Sequence, residues 1–463
     1  MNTVVEPSWA AVEFQYANLG DLRRQNRLIC LAEQRAAYPN ASIPQACGDA
    51  AATKAAYRFY NNDDIPEGEI LASHQQATKH RLAQEEIVLA VQDTTVIDYT
   101  HHPHKTGLGI LSDEKHHGLF LHTTLAVTPG RVPLGIIDQQ AWTRSADELG
   151  KSHHRRQRPI EEKESHRWLD SLAVTGEIQD QLSDTHLINI GDREADIYDL
   201  FAKAVSEETS LLVRAAWNRR IDHPQGHLWP YLESQAIAAT VTITVPRKAQ
   251  QPARQADLTL RYAPVTLLPP KHQRGEELSP LSVWGVFAHE ENAPADVEPV
   301  SWLLLTTVEV ATCEAALERL QWYTCRWEVE VYHKVLKSGC RIEKRQLSDI
   351  AAIKRYLALD SIVGWRVLFL TMLGRQLPDM PCTAILEAHE WQALYGFIHK
   401  TDTPPSQPPT LKEATHWIGQ LGGFLGRTGD RNPGVTTVWR GLQRLSDLAA
   451  VFVLFHPLGA LTP

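Results

Sequence analysis

Two aspartates and one glutamate stand where metal-dependent phosphoryl transfer would need them. Asp93 follows the apolar run Ile87-Val88-Leu89-Ala90-Val91, and Asp192 follows Leu187-Ile188-Asn189-Ile190-Gly191. Runs of this composition predict strands. Both carboxylates are therefore expected at the C-terminal ends of strands, where α/β folds collect their sites. Each also suits a loop or a helix cap. The third carboxylate comes with company: Tyr323, Arg326, Glu330 and Lys337 lie at offsets 0, 3, 7 and 14. At about 100° per residue they fall within an arc of about 60° on a helix, and Glu328 falls off it. A solvated, salt-bridged helix face has the same pattern. Three carboxylates supply the hard oxygen ligands that two Mg²⁺ ions take, with Mn²⁺ as a substitute. Ions about 3.5–4 Å apart stabilise the attacking and leaving oxygens of an in-line displacement. A phenol, a guanidinium and an ammonium beside them suit phosphates.

The pattern along the chain predicts what must position these groups. Residues 9–85 read as helical, broken at Gly20-Asp21 and by a turn at Asn40 to Pro44. Strands are expected at Ile87 to Val91, Gly118 to Val127, Val132 to Gln139, His186 to Ile190 and Ser210 to Arg214, with helices over Ile160 to Ala173 and after Arg193. Residues 215–300 read as a β-rich insertion, with strands at 241–245, 258–262 and 281–288, and Trp302 to Thr307 as a further strand. From Cys313 to about Leu377 the pattern is helical. A proline-rich connector, Thr403 to Pro409, leads into the capping box Thr410-Leu411-Lys412-Glu413. Lys151 to Arg158 reads as a basic loop.

The 463 residues exceed one ordinary core, so two or three domains are expected. Hydrophobic residues at 43% and charged residues at 22% exclude a disordered chain. A net charge of −9 excludes a wholly basic nucleic-acid coat but allows a basic groove. From Leu211 to Gly275 there are nine Lys/Arg against three Asp/Glu, and from Glu276 to Val300 six acids and no base, which suits a phosphate-tracking face. No cysteine pair has CxxC spacing, so the six are expected as free thiols. No signal peptide is read in the first 20 residues, and Tyr356 to Leu373, interrupted by Asp360 and Arg366, reads as a buried helix. His101, His102, His104, His116, His117, His153 and His154 read as loop residues, and Asp196 and Asp199 as surface or capping residues.

Several motifs together resemble the bacterial cut-and-paste DDE transposases of the insertion-sequence-four class. They are Gly20-Asp21-Leu22-Arg23-Arg24, Ala56-Tyr57-Arg58-Phe59, Asp93-Thr94-Thr95, Glu162-Lys163-Glu164-Ser165, Gly191-Asp192-Arg193-Glu194-Ala195-Asp196-Ile197, Trp302-Leu303-Leu304-Leu305-Thr306, Tyr323-x2-Arg326-x3-Glu330-x6-Lys337 and Leu421-Gly422-Gly423-Phe424. The likeness runs from about Trp9 to Phe452 and is poor over 215–275. Val331 departs from the family, which has a second acid there.

The resemblance implies an α/β fold: a ribonuclease-H-like mixed-sheet catalytic core with a β-rich insertion, flanked by helical N- and C-terminal domains. The expected division is 1–75 for transposon-end binding, 76–377 for catalysis and 378–463 for dimerisation. Asp93, Asp192 and Glu330 fall on the DDE positions that hold two Mg²⁺ ions. Tyr323, Arg326, Lys337 and Arg214 fall on DNA contacts, and Trp302 on a tryptophan that holds a flipped base. Arg23, Arg24, Arg27 and Arg58 are candidate DNA contacts in the head, or braces of its helices. Expected partners are double-stranded DNA (transposon ends and target) and a second copy of the chain, with no membrane, in the bacterial cytoplasm at the nucleoid. Val438, Leu442, Leu445, Ala449 and Phe452 form an a/d-like stripe in the tail, suited to self-association or to a core-facing helix. A ribonuclease-H-like nuclease that joins nothing, and an inactive DNA-binding relic, are the alternatives.

Overall fold

The structure, a computed structural model, describes residues 7–145, 159–245, 253–271, 278–427 and 429–456. The basic stretch Lys151 to Arg158, with His153 and His154, lies outside the described residues. The head is helical as expected: α1 (Trp9–Glu13), α2 (Leu22–Ala37), α3 (Ile43–Cys47), α4 (Ala50–Tyr60) and α5 (Glu67–Leu82). The breaks coincide with caps. Asp21 accepts from the Arg23 amide at 2.7 Å to open α2, and Asp49 from the Ala52 amide at 2.7 Å to open α4.

The core strands are β1 (Ile87–Asp98), β2 (Gly109–Ile110), β3 (His117–Val127), β4 (Pro133–Trp142), β5 (His186–Gly191) and β6 (Ser210–Arg214), with α6 (His166–Gln179) and α7 (Tyr198–Ser206) between β4 and β6. Their order is β4-β3-β1-β5-β6. The first three are antiparallel and β1, β5 and β6 parallel, which is the ribonuclease-H-like arrangement. A parallel strand is buried on both faces, and the sequence shows it. Ile188, Ile190 and Leu212 enter the cluster shared with the head and the later helices, whereas Leu211 and Val213 enter the cluster built by α6 and α7.

After β6 come α8 (Leu228–Glu233), β7 (Ala239–Val245), β8 (Arg254–Leu267), β9 (Leu281–His289) and β10 (Ser301–Thr306). These strands do not form a unit of their own. β10 pairs with β6 and the order continues β10-β9-β8-β7, so the insertion extends the core into one ten-stranded sheet. An unpaired edge at β6 would leave backbone groups open, and β10 satisfies them.

The helical remainder is α9 (Cys313–Thr324), α10 (Trp327–Lys334), a π-helical turn at Val335–Gly339, α11 (Ile350–Gln376), α12 (Ala388–His399), α13 (Leu411–Leu421) and α14 (Val435–Phe455). The Thr410–Glu413 capping box opens α13. α11 is long and apolar enough to cross a membrane, yet 83% of its most apolar window is buried inside the protein. It acts as a spine. Arg35 of α2 meets Asp360 of α11 at 3.0 Å, both buried, and Arg355 of α11 holds the Ile65 carbonyl at 2.7 Å and the Tyr60 carbonyl at 3.0 Å. The helix expected from Ile160 starts later: Ile160–Glu162 is a 3₁₀ turn and α6 begins at His166.

Candidate active site

Asp93 is not at a strand end. β1 runs on to Asp98 because its antiparallel pairing with β3 continues, Asp93 opposite Thr123. The parallel pairing with β5, however, stops at Val91 opposite Ile190. Asp93 therefore lies two residues past the last parallel pair on β1, and Asp192 two residues past it on β5. Register, rather than strand length, brings the two carboxylates level. Asp192 caps a 3₁₀ turn and accepts from the Glu194 amide at 2.8 Å. Gly191 makes that turn possible: a Cβ there would collide with Ala195 and press on the Trp168 ring.

The stripe from Tyr323 to Lys337 is not one helix. The chain tightens at Cys325-Arg326 with i→i−3 bonds, ending α9 and starting α10, and Lys337 lies in the π-helical turn. The break is held from outside. Arg131, at φ 68° in the β3–β4 turn, donates to the Thr324 carbonyl at 3.2 Å, the Thr324 hydroxyl at 2.7 Å and Glu328 Oε1 at 3.0 Å. Glu328 is thus a buried brace, and burial raises its pKa against the pull of Arg131.

Arg326 links the carboxylates. Its Nη1 is 3.7 Å from Asp93 Oδ1 and its Nη2 pairs with Glu330. Burial works against the charge of Arg326, but Tyr323, Glu330 and Asp93 outweigh it and raise its pKa. Asp192 lies in the same field. Burial raises its pKa, the Glu194 amide opposes that, and the charge of Asp93 raises it further. Glu194 is raised by burial and by Asp192 and Asp93. Among the described residues no three His, Cys, Asp or Glu side chains stand in the arrangement of a metal site. The charge between Asp93 and Glu330 is supplied by a guanidinium.

Tyr323 is buried, its ring edge-on to Trp302 with centroids 6.0 Å apart. Burial raises its pKa while Arg326 and Arg214 lower it. Arg214, at the end of β6, donates to the Ser301 carbonyl at 3.0 Å, and burial lowers its pKa. The fold therefore gathers Asp93, Asp192, Glu330, Arg326, Tyr323, Trp302 and Arg214 along adjoining elements. The four head arginines belong elsewhere. Arg23 pairs with Asp21, Arg24 holds the Leu19 carbonyl and Asp64, Arg27 is half-buried on α2, and Arg58 lines a shallow groove with Lys54, Tyr57, Asn61 and Asn62.

Two histidines absent from the sequence reading flank Asp93. His333 Nδ1 is 3.4 Å from Asp93 Oδ2 and its Nε2 meets Thr123 Oγ1 at 3.2 Å. Its position, about 280° on the wheel that starts at Tyr323, was a usable signal. His122 shares its Nδ1 with Thr94 Oγ1 at 2.9 Å, and burial brings its pKa down to about 4. Asp196, read as a surface or capping residue, is buried instead.

Residues 6–65 match the transposase DNA-binding family, and residues 362–454 match the Transposase Tn5 dimerisation domain, a match that begins within α11. Among solved structures, a piggyBac transposase synaptic complex with hairpin DNA overlaps 97% of this chain and 79% of that one at 8% identity and a TM-score of 0.36, a likeness too distant to carry an argument. With a match to the transposase DNA-binding family at one end and to the Tn5 dimerisation domain at the other, the chain is similar to Tn5-type DNA transposases at both of its ends.

Proposed function

We propose that the chain is a DNA transposase with Asp93, Asp192 and Glu330 as its DDE triad. The observation that carries the reading is the shared guanidinium: Arg326 faces Asp93 and pairs with Glu330, while Asp192 feels both Asp93 and Arg326. The donors are hard carboxylate oxygens, and burial first, then the charge of Asp93, raises the pKa of Asp192; such a set fits Mg²⁺ or Mn²⁺ once Arg326 turns toward a phosphate. Two such ions, when bound, would activate the attacking oxygen and stabilise the leaving one. The chain's own groups do the rest. Arg326, Tyr323 and Arg214 hold phosphate oxygens, with Lys337 further along the strand. Trp302 offers its ring to a base displaced from the stack, the need created when a freed 3′-hydroxyl attacks the opposite strand and closes a hairpin. The reopened ends are then joined to target DNA.

The head holds the transposon end, with Arg23, Arg24, Arg27 and Arg58 at phosphates or bases. The tail joins two copies into a paired-end complex, acting at the nucleoid of a bacterial cytoplasm. The test is Mg²⁺-dependent cleavage and strand transfer by the full chain on DNA flanking its gene, beside Asp192→Asn. Cleavage and joining by the wild type alone support the reading. Cleavage without joining favours a nuclease, and equal cleavage by the variant removes Asp192 from the triad.

A further inference from the structure

Trp217 is 62% exposed, an unusual position for the largest apolar side chain. Its backbone is nonetheless fastened. Asp196, with no exposed side-chain surface, accepts from the Ala216 amide at 2.7 Å, the Trp217 amide at 3.0 Å and Arg219 Nε at 2.8 Å. Arg219 Nη2 returns a bond to the Asp196 carbonyl at 2.6 Å, and the Arg219 amide closes a turn onto the Trp217 carbonyl at 2.9 Å. On the far side Asn218 Oδ1 accepts from the Trp229 amide at 3.0 Å. Asp196 is four residues from Asp192 on the turn that Asp192 opens. The loop that presents Trp217 is therefore fastened to the turn that carries the candidate triad residue.

The surroundings say what the ring faces. Trp217 follows Arg214 on the segment leaving β6, Arg220 is exposed beside it, and Arg193 is close enough to Arg214 to add a smaller downward push on its pKa to that of burial. Asp196, the carboxylate under the loop, is taken up by the bonds above. An exposed aromatic side chain on a fastened loop, with Arg214 and the exposed Arg193 and Arg220 close by in the chain, suits a nucleobase on a phosphate backbone.

We infer that Trp217 stacks on an unpaired nucleobase of the DNA strand entering the site, a second aromatic platform beside Trp302. This rests on the reading of Asp93, Asp192 and Glu330 as the site of phosphoryl transfer. Asp196 is then a positioning residue, holding the platform at a fixed place relative to Asp192.

The test uses the full chain and a duplex from the sequence flanking the gene, with a short single-stranded overhang carrying 2-aminopurine. Trp217→Ala is expected to keep the melting temperature, lose the fluorescence quench and bind the overhang about tenfold more weakly. Trp217→Phe is expected to retain the quench and stay within about threefold of wild-type affinity. A folded Trp217→Ala protein with unchanged quench and affinity overturns the inference. The catalytic reading fails separately: a quench that depends on Trp217, in a protein whose cleavage does not depend on Asp192, supports the platform and overturns the triad.

Discussion

Arg326 Nη1 lies 3.7 Å from Asp93 Oδ1 across the gap between a strand and a helix start, while the same guanidinium pairs with Glu330. Removing the Glu330 charge should suppress the chemistry while Arg326 and the other DNA-holding groups remain in place. Glu330→Gln is expected to lower Mg²⁺-dependent cleavage by about 10³-fold or more, equivalent to about 4 kcal/mol, while gel-shift affinity for end DNA stays within about threefold. Persistent cleavage would remove Glu330 from the triad.

Trp302 and Tyr323 form an edge-on aromatic pair at the same site. Trp302→Ala should leave first-strand nicking near wild type and slow hairpin formation roughly tenfold, about 1.4 kcal/mol of lost stacking. Single-turnover rates for the two steps on a pre-nicked and an intact duplex separate them. Equal slowing of both steps makes Trp302 a packing residue.

The head is anchored to the spine by Arg35 and Asp360, whose side chains are 2% and 0% exposed. Arg35→Ala leaves a buried carboxylate without its cation, a loss of about 3–5 kcal/mol in urea unfolding. Arg35→Met with Asp360→Leu should recover part of that loss. A single variant as stable as wild type would show that water reaches the pair.

His122 is buried and its pKa falls to about 4, against about 6.5 in an unfolded chain. The folded state excludes a proton that the unfolded state takes up. Stability is therefore full above about pH 6.5 and declines as pH falls toward 4, by up to about 3 kcal/mol from this group. Burial lowers the pKa of His74 too, with the same sign. Thermal unfolding at pH 7, 5.5 and 4 should show a shallower decline in His122→Gln than in wild type.

The tail stripe faces inward, with Leu442 and Phe452 half-buried, and the exposed apolar residues lie beside it. Val438, Leu445 and Ala449 are buried, whereas Val451, Leu454 and Phe455 at the end of α14 are 52%, 77% and 76% exposed. Leu454→Asp with Phe455→Asp should keep the melting temperature and abolish the dimeric complex with end DNA in analytical ultracentrifugation. Leu445→Asp should instead cost about 3 kcal/mol or more of stability by burying an unpaired charge. Dimers that survive the first pair of changes place self-association elsewhere.

Much of this was legible in the amino-acid sequence. Element types followed from apolar periodicity and caps, so Ser210–Arg214 and the head helices emerge as read, and the Asp93 and Asp192 runs are strands. Local spacing also marked the arc of Tyr323, Arg326 and Glu330, because residue types repeat within one element at that element's own period.

Tertiary structure alone decided which elements meet. The register of β1 on β5 sets Asp93 level with Asp192 although β1 continues past it. Arg131 reaches Glu328 and Thr324 from nearly two hundred residues away and holds the break between α9 and α10 that the helical wheel could not show. Asp196 looked like a capping residue and is buried because the loop after β6 folds onto it, and Val438 and Leu445 of α14 pack with α13 while Leu454 and Phe455 at its end stay exposed. Periodicity says which face of an element is apolar. Only the pairing of distant elements says what covers it, since that depends on sheet register and loop closure rather than on neighbours along the chain.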